Sequence, residues 1–257
     1  MPLNTPITDW TDKRTWVIGA STGIGRETAR LLSRKGARVA FSARSVDKLA
    51  EAASGCARTR VLPLDITDPA ALVEAAGVLQ QEWGGLDLVL IVAGTHDEMR
   101  AQDFDLERAN ALLAVNLHGV LNCVAATLPG LLAQRSGHIA IVASIAGLRG
   151  LPKALIYGAS KAALINFCEA LYIDCKPANV NVHLINPGFV ATPLTASNDF
   201  KMPGLTSAED AAAKLVRGLE RGDFDIHFPK RFTRWVKLMR LLPYHLYFAA
   251  VHRITGL

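Results

Sequence analysis

The segment from Thr15 to Gly36 constrains the fold more than any other part of the sequence. It reads TWVI, then GASTGIG, then RETARLLSRKG. The short β-branched run predicts a strand, and the last run predicts a helix that Gly36 ends. Together these parts predict the phosphate-binding half of a nucleotide fold. The glycines would let the backbone approach a pyrophosphate, and the helix N-terminus would supply amide donors and a positive dipole end.

Segments that predict strands alternate with segments that predict helices along the rest of the chain. Besides TWVI, six segments predict strands: ARVAFSARS, RVLPLDITD, LDLVLIVAG, HIAIVAS, VNVHLINPG and DFDIHFP. The alternation predicts an α/β fold of three layers, in which helices cover both faces of a doubly wound parallel sheet of about seven strands. Right-handed crossovers would bring the loops that follow the strands to one edge of this sheet.

The segments between the strands indicate one domain over residues 1–257, since no linker, repeat or low-complexity segment interrupts them. The stretch LERANALLAVNLHGVLNCVAATLPGLLAQ predicts a long helix that carries Asn116. The polar segment TPLTASNDFKMPGLT predicts an irregular loop, and SAEDAAAKLVRGLERG predicts the helix after it.

Composition and charge narrow the class of protein. Half of the 257 residues are apolar and 20% are charged, and the net charge of +5 does not predict nucleic-acid binding, because the basic residues are spread out until the C-terminus. The four cysteines, Cys56, Cys123, Cys168 and Cys175, lack metal-type spacing, so we expect no metal site and a reduced, cytoplasmic protein. We find neither a signal-peptide pattern at the N-terminus nor an apolar run long enough to span a membrane.

Three polar side chains predict acid–base chemistry. Ser144 ends the apolar run HIAIVAS, and Tyr157 and Lys161 are four residues apart in a helical pattern, which places both on one helical face. A cation beside a phenol favours the phenolate, so we expect Lys161 to lower the pKa of Tyr157. A tyrosine tuned in this way can give or take a proton near neutral pH.

Arg44 predicts the choice of cofactor. In the general nucleotide fold, an acidic residue about 20 positions beyond the glycine turn binds the ribose 2′-hydroxyl. Arg44 occupies that place here, between Ser42 and Ser45. A guanidinium suits a 2′-phosphate, so the sequence favours NADP(H) over NAD(H), the alternative being a solvated loop arginine.

With the glycine turn, Asn116, Ser144, Tyr157 and Lys161 in this order, the chain resembles the short-chain dehydrogenase/reductase family over roughly residues 12 to 228. The resemblance implies a Rossmann-type sheet of seven parallel strands, a homodimer or homotetramer, and catalysis by Asn116, Ser144, Tyr157 and Lys161. In it, Asn116 would hold a water near Lys161. Besides Arg44, Tyr157 and Lys161, it implies that the cofactor contacts Gly19, Ser21, Thr22, Gly23, Ile24, Gly25, Asp65, Ile66, Ala93, Gly94, Pro187, Gly188, Val190 and Thr192.

One segment departs from the family pattern. Where the family usually has Asn-Asn-Ala-Gly after the fourth strand, this chain has Ile91-Val92-Ala93-Gly94. Two amide side chains are replaced by apolar ones, so we expect lost hydrogen bonds on the cofactor side of the sheet.

These residues together predict an NADP(H)-dependent oxidoreductase that interconverts a carbonyl and a secondary alcohol. The residues expected to face the substrate are mostly apolar and favour a hydrophobic compound: Ala146, Leu148, Leu151, Leu155 and Phe189. His96 is expected to be solvated rather than in the pocket. Hydroxysteroid dehydrogenases and 3-oxoacyl reductases are both similar, and a non-catalytic dinucleotide-binding regulator is the alternative from another class.

The segment 230–257 lies beyond the usual core of the family. Basic residues and apolar residues alternate at helical spacing up to Pro243, and Tyr244 to Ile254 predicts a second apolar helix. A basic amphipathic helix with Trp and Tyr predicts peripheral membrane contact. The alternative is that this segment packs on the protein's own core, over the active site or across a dimer interface.

Overall fold

A computed structural model describes residues 2–196 and 202–256. Seven strands form one parallel sheet in the order β3-β2-β1-β4-β5-β6-β7. Their bounds are β1 Arg14–Ile18, β2 Arg38–Ser42, β3 Thr59–Val61, β4 Leu88–Ile91, β5 His138–Val142, β6 Asn181–Pro187 and β7 Asp225–Phe228. The order reverses between β1 and β4, so the prediction of a doubly wound α/β fold is confirmed.

Helices cover both faces of the sheet. Their bounds are α1 Gly23–Arg34, α2 Val46–Ala53, α3 Pro69–Trp83, α4 Leu106–Leu113, α5 Val120–Gln134, α6 Leu155–Cys175, α7 Ala208–Glu220, α8 Lys230–Met239 and α9 Tyr244–Thr255. One core lies between the sheet and α3, α5 and α6, and a second lies between the sheet and α1, α2 and α7. The central strands are buried on both sides, which explains their nearly continuous apolar sequences.

Local sequence signals explain where several helices begin and end. Asp68 caps α3 by accepting hydrogen bonds from the backbone N–H groups of Ala70 and Ala71, and Pro69 fits the first turn, where no amide donor is needed. Gly84 ends α3 with a left-handed backbone, the conformation that glycine adopts most easily. These boundaries match the pattern of the sequence closely.

The long helix predicted over 106–134 is interrupted. Residues Ala114–Gly119 form a π-helical turn between α4 and α5. By length and mean hydropathy of 1.7, the stretch Leu106–Gln134 could cross a membrane, contrary to our expectation that no run was long enough. In this fold it lies on the sheet, where Val120, Cys123 and Leu131 are part of the core.

Three of the four cysteines, Cys123, Cys168 and Cys175, are buried, and all four are free thiols. Burial raises the pKa of the Cys123 and Cys168 thiols to about 12, so neither is a reactive nucleophile. Within the described residues no group of His, Cys, Asp and Glu side chains could hold a metal ion. Of the loop predicted before α7, residues 197–201 lie outside the described part of the chain.

Candidate active site

A cleft of about 1170 Å³ lies where the loops that follow the strands meet. Most of the residues predicted to bind the cofactor line it: Gly19, Ser21, Thr22, Gly23, Ile24, Arg44, Asp65, Ile66, Ala93, Gly94, Tyr157, Lys161, Pro187, Val190 and Thr192. Ser144 lines the same cleft, so the structure brings the glycine turn and the acid–base residues together. This is the position at which open α/β sheets bind their ligands.

Gly25 does not line the cleft, although the sequence assigned it to the cofactor. A Cβ atom added to Gly25 would lie 2.0 Å from the carbonyl oxygen of Gly19, so the first turn of α1 packs directly against the turn before it. Gly19 itself has a φ of +99° and leaves no room for a side chain beside the backbone of Ala93. The role of Gly25 is therefore to let helix and strand approach closely.

Ser144, Tyr157 and Lys161, the three residues predicted to carry acid–base chemistry, lie close together. Ser144 follows β5, and its hydroxyl is hydrogen-bonded to the hydroxyl of Tyr157 on α6. Lys161 is 4% exposed, donates from Nζ to the carbonyl oxygen of Val142 at 3.1 Å, and lies 5.8 Å from the centroid of the Tyr157 ring. Gly147 permits this packing, since a Cβ there would lie 2.5 Å from the backbone of Lys161.

The expected lowering of the Tyr157 pKa by Lys161 is not what the structure shows. Burial raises the pKa of Tyr157, and the hydrogen bond with Ser144 offsets part of that rise. Burial also lowers the pKa of Lys161 to about 8. Sequence spacing places the two groups on one face of α6, but it does not report how much water each loses on folding, which decides the direction here.

Asn116 is fully buried on the π-helical turn. Its side-chain oxygen accepts from the N–H of Thr95 at 2.7 Å, and its side-chain nitrogen donates to the carbonyl oxygen of Thr95 at 2.8 Å. Asn116 is therefore not a solvated residue of the helix surface. Asn116 holds the loop after β4 against the helix, beside Gly94 and Lys161.

The end of the cleft beside α2 is basic. Arg44 and Lys48 line it together with Ser45, which caps α2 by accepting from the N–H of Lys48 at 3.4 Å. Lys48 was missed by the sequence analysis, although its position in the first turn of the helix after Arg44 was a usable signal. At the adjacent wall, Asp65 accepts hydrogen bonds from the N–H and the hydroxyl of Thr67 at 2.9 Å.

The apolar pair in place of the usual amides is accommodated by packing. Ile91 is 1% exposed in one core, and Val92 packs against the other while lining the cleft. The backbone N–H groups of Val92 and Ala93 both donate to the carbonyl oxygen of Ile18, at 2.8 and 3.0 Å. The pairing of β1 with the residues after β4 therefore depends on main-chain hydrogen bonds and not on side-chain amides.

The residues predicted to face the substrate lie elsewhere. Ala146, Leu148, Leu151, Leu155 and Phe189 are not among the described residues that line the cleft, and neither is Gly188, which was predicted to contact the cofactor. Phe189 stacks on Phe232 of α8 with ring centroids 5.9 Å apart, and Leu148 lines a separate cleft of about 410 Å³ beside the C-terminal segment. For Phe189 and Leu148 the local sequence could not indicate this, because the segment that lies against them comes later in the chain.

His96 and its neighbours line the cleft where the predicted substrate residues do not. His96 contacts Tyr157 edge-to-face, which corrects the expectation that it is solvated. Asp97 pairs with Arg108 of α4, whose Nη2 lies 2.5 Å from the carboxylate oxygen. Apolar side chains complete this end of the cleft: Ala111, Leu112, Val115, Val190 and Leu194.

Comparison with known proteins agrees with the fold. The family model described as short chain dehydrogenase matches residues 13–202. An uncharacterized oxidoreductase of Myxococcus xanthus strain DK1622 is 36% identical over 242 residues, which cover 93% of this chain and 96% of that protein. An uncharacterized oxidoreductase of Staphylococcus aureus strain N315 is 36% identical over 189 residues, covering 73% of this chain and 82% of the relative.

Solved structures show the same architecture. A short chain dehydrogenase/reductase family protein superposes with a TM-score of 0.76 at 25% identity, over 85% of this chain and 96% of its own. A protein titled ribose-5-phosphate isomerase from Brucella melitensis 16M gives a TM-score of 0.77 at 25% identity, over 88% and 89% of the two chains. The chain belongs to the short-chain dehydrogenase family. It is an oxidoreductase of a family whose cofactor is a nicotinamide dinucleotide.

Proposed function

We propose that the protein is an NADP(H)-dependent oxidoreductase that interconverts a carbonyl and a secondary alcohol on a hydrophobic substrate. The observation that carries the proposal is the presence of Ser144, Tyr157 and Lys161 in one cleft with the glycine turn and Arg44. In this proposal the chain acts in the cytoplasm as a homodimer or homotetramer, with residues 1–257 as one domain and 230–257 as its extension.

The cleft fits a phosphorylated dinucleotide. The backbone at Gly19 and Gly23 has positive φ values and no Cβ atoms, so it leaves space for a pyrophosphate at the start of α1. Arg44 and Lys48 are two cations at the other end of the same wall. A guanidinium and an ammonium together suit a 2′-phosphate dianion much better than a neutral hydroxyl.

Tyr157 would transfer the proton and Ser144 would bind the substrate oxygen. When bound, the nicotinamide would supply hydride to the carbonyl carbon or accept it in the reverse direction. The Tyr157 hydroxyl would protonate the oxygen of the substrate, and the Ser144 hydroxyl would donate a hydrogen bond where negative charge develops. The two hydroxyls already share a hydrogen bond, so a carbonyl oxygen could replace it by accepting from both.

Lys161 would support this proton transfer by its charge. With a pKa near 8, its amine is mostly protonated at neutral pH. A positive charge 5.8 Å from the ring centroid favours the phenolate of Tyr157 and opposes the rise that burial causes. Asn116 would position the Thr95 loop, which lines the cleft next to His96.

The lining favours a hydrophobic ketone or alcohol. Leu112, Val115 and Leu194 present apolar surface, while the paired charges of Asp97 and Arg108 neutralise each other at the cleft wall. The rival function is a non-catalytic dinucleotide-binding regulator. The presence of all three acid–base residues argues against it, because a regulator without turnover does not need a buried proton donor.

Turnover by a Tyr157→Phe variant tests the proposal. The variant should bind NADPH as the wild type does, by fluorescence titration, and lose turnover by a factor of roughly 10²–10⁴ on a panel of lipid-like ketones. Tyr172→Phe is the matched control, since Tyr172 does not line the cleft and its hydroxyl donates to the carbonyl oxygen of Leu3. Wild-type rates in Tyr157→Phe would overturn the role of Tyr157. Tight NADPH binding without turnover of any substrate in the wild type would favour the regulator.

A further inference from the structure

The C-terminal segment, residues 230–256, accounts for the net positive charge of the protein. It contains six Lys and Arg residues and no Asp or Glu: Lys230, Arg231, Arg234, Lys237, Arg240 and Arg253. Residues 1–229 carry 22 basic and 23 acidic residues and are therefore close to neutral. An anionic surface would attract the molecule by this segment first.

The outward faces of α8 and α9 are apolar as well as basic. On α8 and the turn after it, Trp235, Leu238 and Leu241 are 57%, 63% and 78% exposed. On α9, Tyr247 is buried whereas most of the other described positions face solvent, and Tyr244 and Phe248 stack on each other. Large apolar side chains concentrated in this way mark an interaction site rather than ordinary surface.

Specific contacts on the inner face of α8 hold this helix in one orientation against the sheet. Thr233 is fully buried, and its hydroxyl lies 2.5 Å from Nδ1 of His227. Lys237 pairs with Asp225 of β7, and Phe232 stacks on Phe189. Because these contacts fix the rotation of α8, the exposed aromatic and aliphatic side chains cannot turn inward.

Arg149 joins the segment to the loop that follows Ser144. Its Nη1 donates to the carbonyl oxygens of Met239, Arg240 and Leu242, at 3.1, 3.1 and 2.6 Å. A cation is stabilising at this place because it meets backbone carbonyls at the C-terminus of α8, the negative end of the helix dipole. The same guanidinium lies 4.1 Å from the centroid of the Tyr247 ring, and the Tyr247 hydroxyl donates to the carbonyl oxygen of Gly150 at 2.6 Å.

We infer that the exposed faces of α8 and α9 form one docking surface for an anionic lipid bilayer. Trp and Tyr suit the interface between headgroups and acyl chains, leucine side chains suit the layer below, and unpaired basic residues suit anionic headgroups. A second copy of the chain fits less well, since a two-fold contact would set this basic face against itself. Docking would place the loop after Ser144 at the lipid surface.

This inference adds a source of substrate to the proposed function: the hydrophobic substrate would reach the cleft from the bilayer. That last step rests on the proposed function, but docking itself does not. A vesicle-binding measurement without substrate therefore separates the two, because binding can stand even where no ketone is turned over.

Co-sedimentation of the full chain with vesicles tests the surface. We expect binding to vesicles of equal parts phosphatidylglycerol and phosphatidylcholine, weaker binding in high salt, and little binding to phosphatidylcholine alone. The triple variant Trp235→Ser, Leu238→Ser, Leu241→Ser should weaken binding at least about tenfold. The double variant Arg231→Glu, Arg234→Glu should do the same.

Two control variants and one second measurement make the test decisive. Ile173→Ser removes a side chain that is 69% exposed on α6, and Arg34→Glu reverses an exposed charge on α1, so neither should change binding. Light scattering without vesicles reports the oligomeric state. Equal binding by all variants, no binding by the wild type, or a dimer that only the α8 variants dissociate would each overturn the inference.

Discussion

His96 and Tyr157 meet as a T-shaped aromatic pair, with ring centroids 4.7 Å apart and ring planes inclined by 73°. The contact joins the loop after β4 to α6 across the cleft wall. Burial lowers the pKa of His96, so the ring that meets the phenol is the neutral imidazole. The pair limits the rotation of the Tyr157 side chain, so the proposed proton donor is held in one orientation.

Substitution of His96 should therefore change the rate more than the binding of cofactor. Aromatic pairs contribute about 0.5–1.5 kcal/mol beyond burial, so His96→Ala should lower kcat by up to roughly tenfold. His96→Phe keeps an aromatic ring and should retain most of the activity. Steady-state kinetics of both variants decide the point: an equal loss in the two would show that the imidazole nitrogens matter instead.

Arg44 should determine the choice between NADPH and NADH. Arg44→Asp removes one charge-assisted hydrogen bond and should move the preference toward NADH by about 1–3 kcal/mol. Lys48→Ala should act in the same direction, since Lys48 lines the same end of the cleft. Ratios of kcat/KM for the two cofactors measure the change, with Arg34→Asp on the exposed surface of α1 as control. A wild type that uses both cofactors equally would contradict the assignment.

The contact between Gly25 and Gly19 should make Gly25→Ala harmful. The added methyl would lie 2.0 Å from the carbonyl oxygen of Gly19, so the turn must shift, and we expect a loss of about 1–3 kcal/mol in the free energy of unfolding together with weaker cofactor binding.

Gly77→Ala is the matched control for this variant. No atom lies within 4 Å of a Cβ at Gly77 of α3, so this change should raise the free energy of unfolding by up to about 1 kcal/mol. Urea denaturation measures both, and an unchanged stability in Gly25→Ala would show that the turn is softer than its geometry indicates.

The paired histidines of β5 and β6 should make the protein sensitive to acid. Nδ1 of His138 lies 3.0 Å from Nε2 of His183, and burial lowers the pKa of the two side chains to about 3 and about 4. The unfolded chain takes up protons below about pH 6.5, where the folded chain does not. Stability is therefore complete above that pH and is lost as pH falls, by about 2 kcal/mol per histidine at pH 5.

Urea denaturation at neutral pH and at pH 5 checks this dependence. His138→Gln should reduce the difference between the two conditions, because one of the two protonation sites is gone. His245→Gln changes an exposed residue of α9 and should leave the difference as it is. The account would be wrong if His138→Gln showed the full loss of stability in acid.

Much of the fold could be predicted because its signals are local. The glycine turn and the seven predicted strand segments depend on residues near each other in the chain, and they match the observed elements. The break at Pro243 between α8 and α9 was predicted for the same reason. We also expected that Ile91 and Val92, in place of two amides, would lose side-chain hydrogen bonds. In the structure these two side chains pack in the two cores instead.

The rest of the site could not be predicted because it depends on contacts between distant segments. Phe189 faces α8 rather than the cleft, since Phe232 stacks on it. The direction of the Tyr157 pKa depends on burial by the whole fold, which the spacing to Lys161 does not contain. The membrane hypothesis for the C-terminal segment stays a prediction; the structure adds that one face of α8 packs inward while the other remains exposed.

The π-helical turn at 114–119 sets the angular relation between the two halves of one long helix. Each residue of an α-helix advances by about 100°, and the wide turn accommodates an additional residue without disturbing the helices on either side. Leu112 of α4 can therefore face the cleft while Cys123 of α5 lies in the core. A deletion of one residue in this turn would rotate α4 against α5 by about 100°, so it would change the part of the cleft wall that Leu112 forms while Cys123 kept its place in the core.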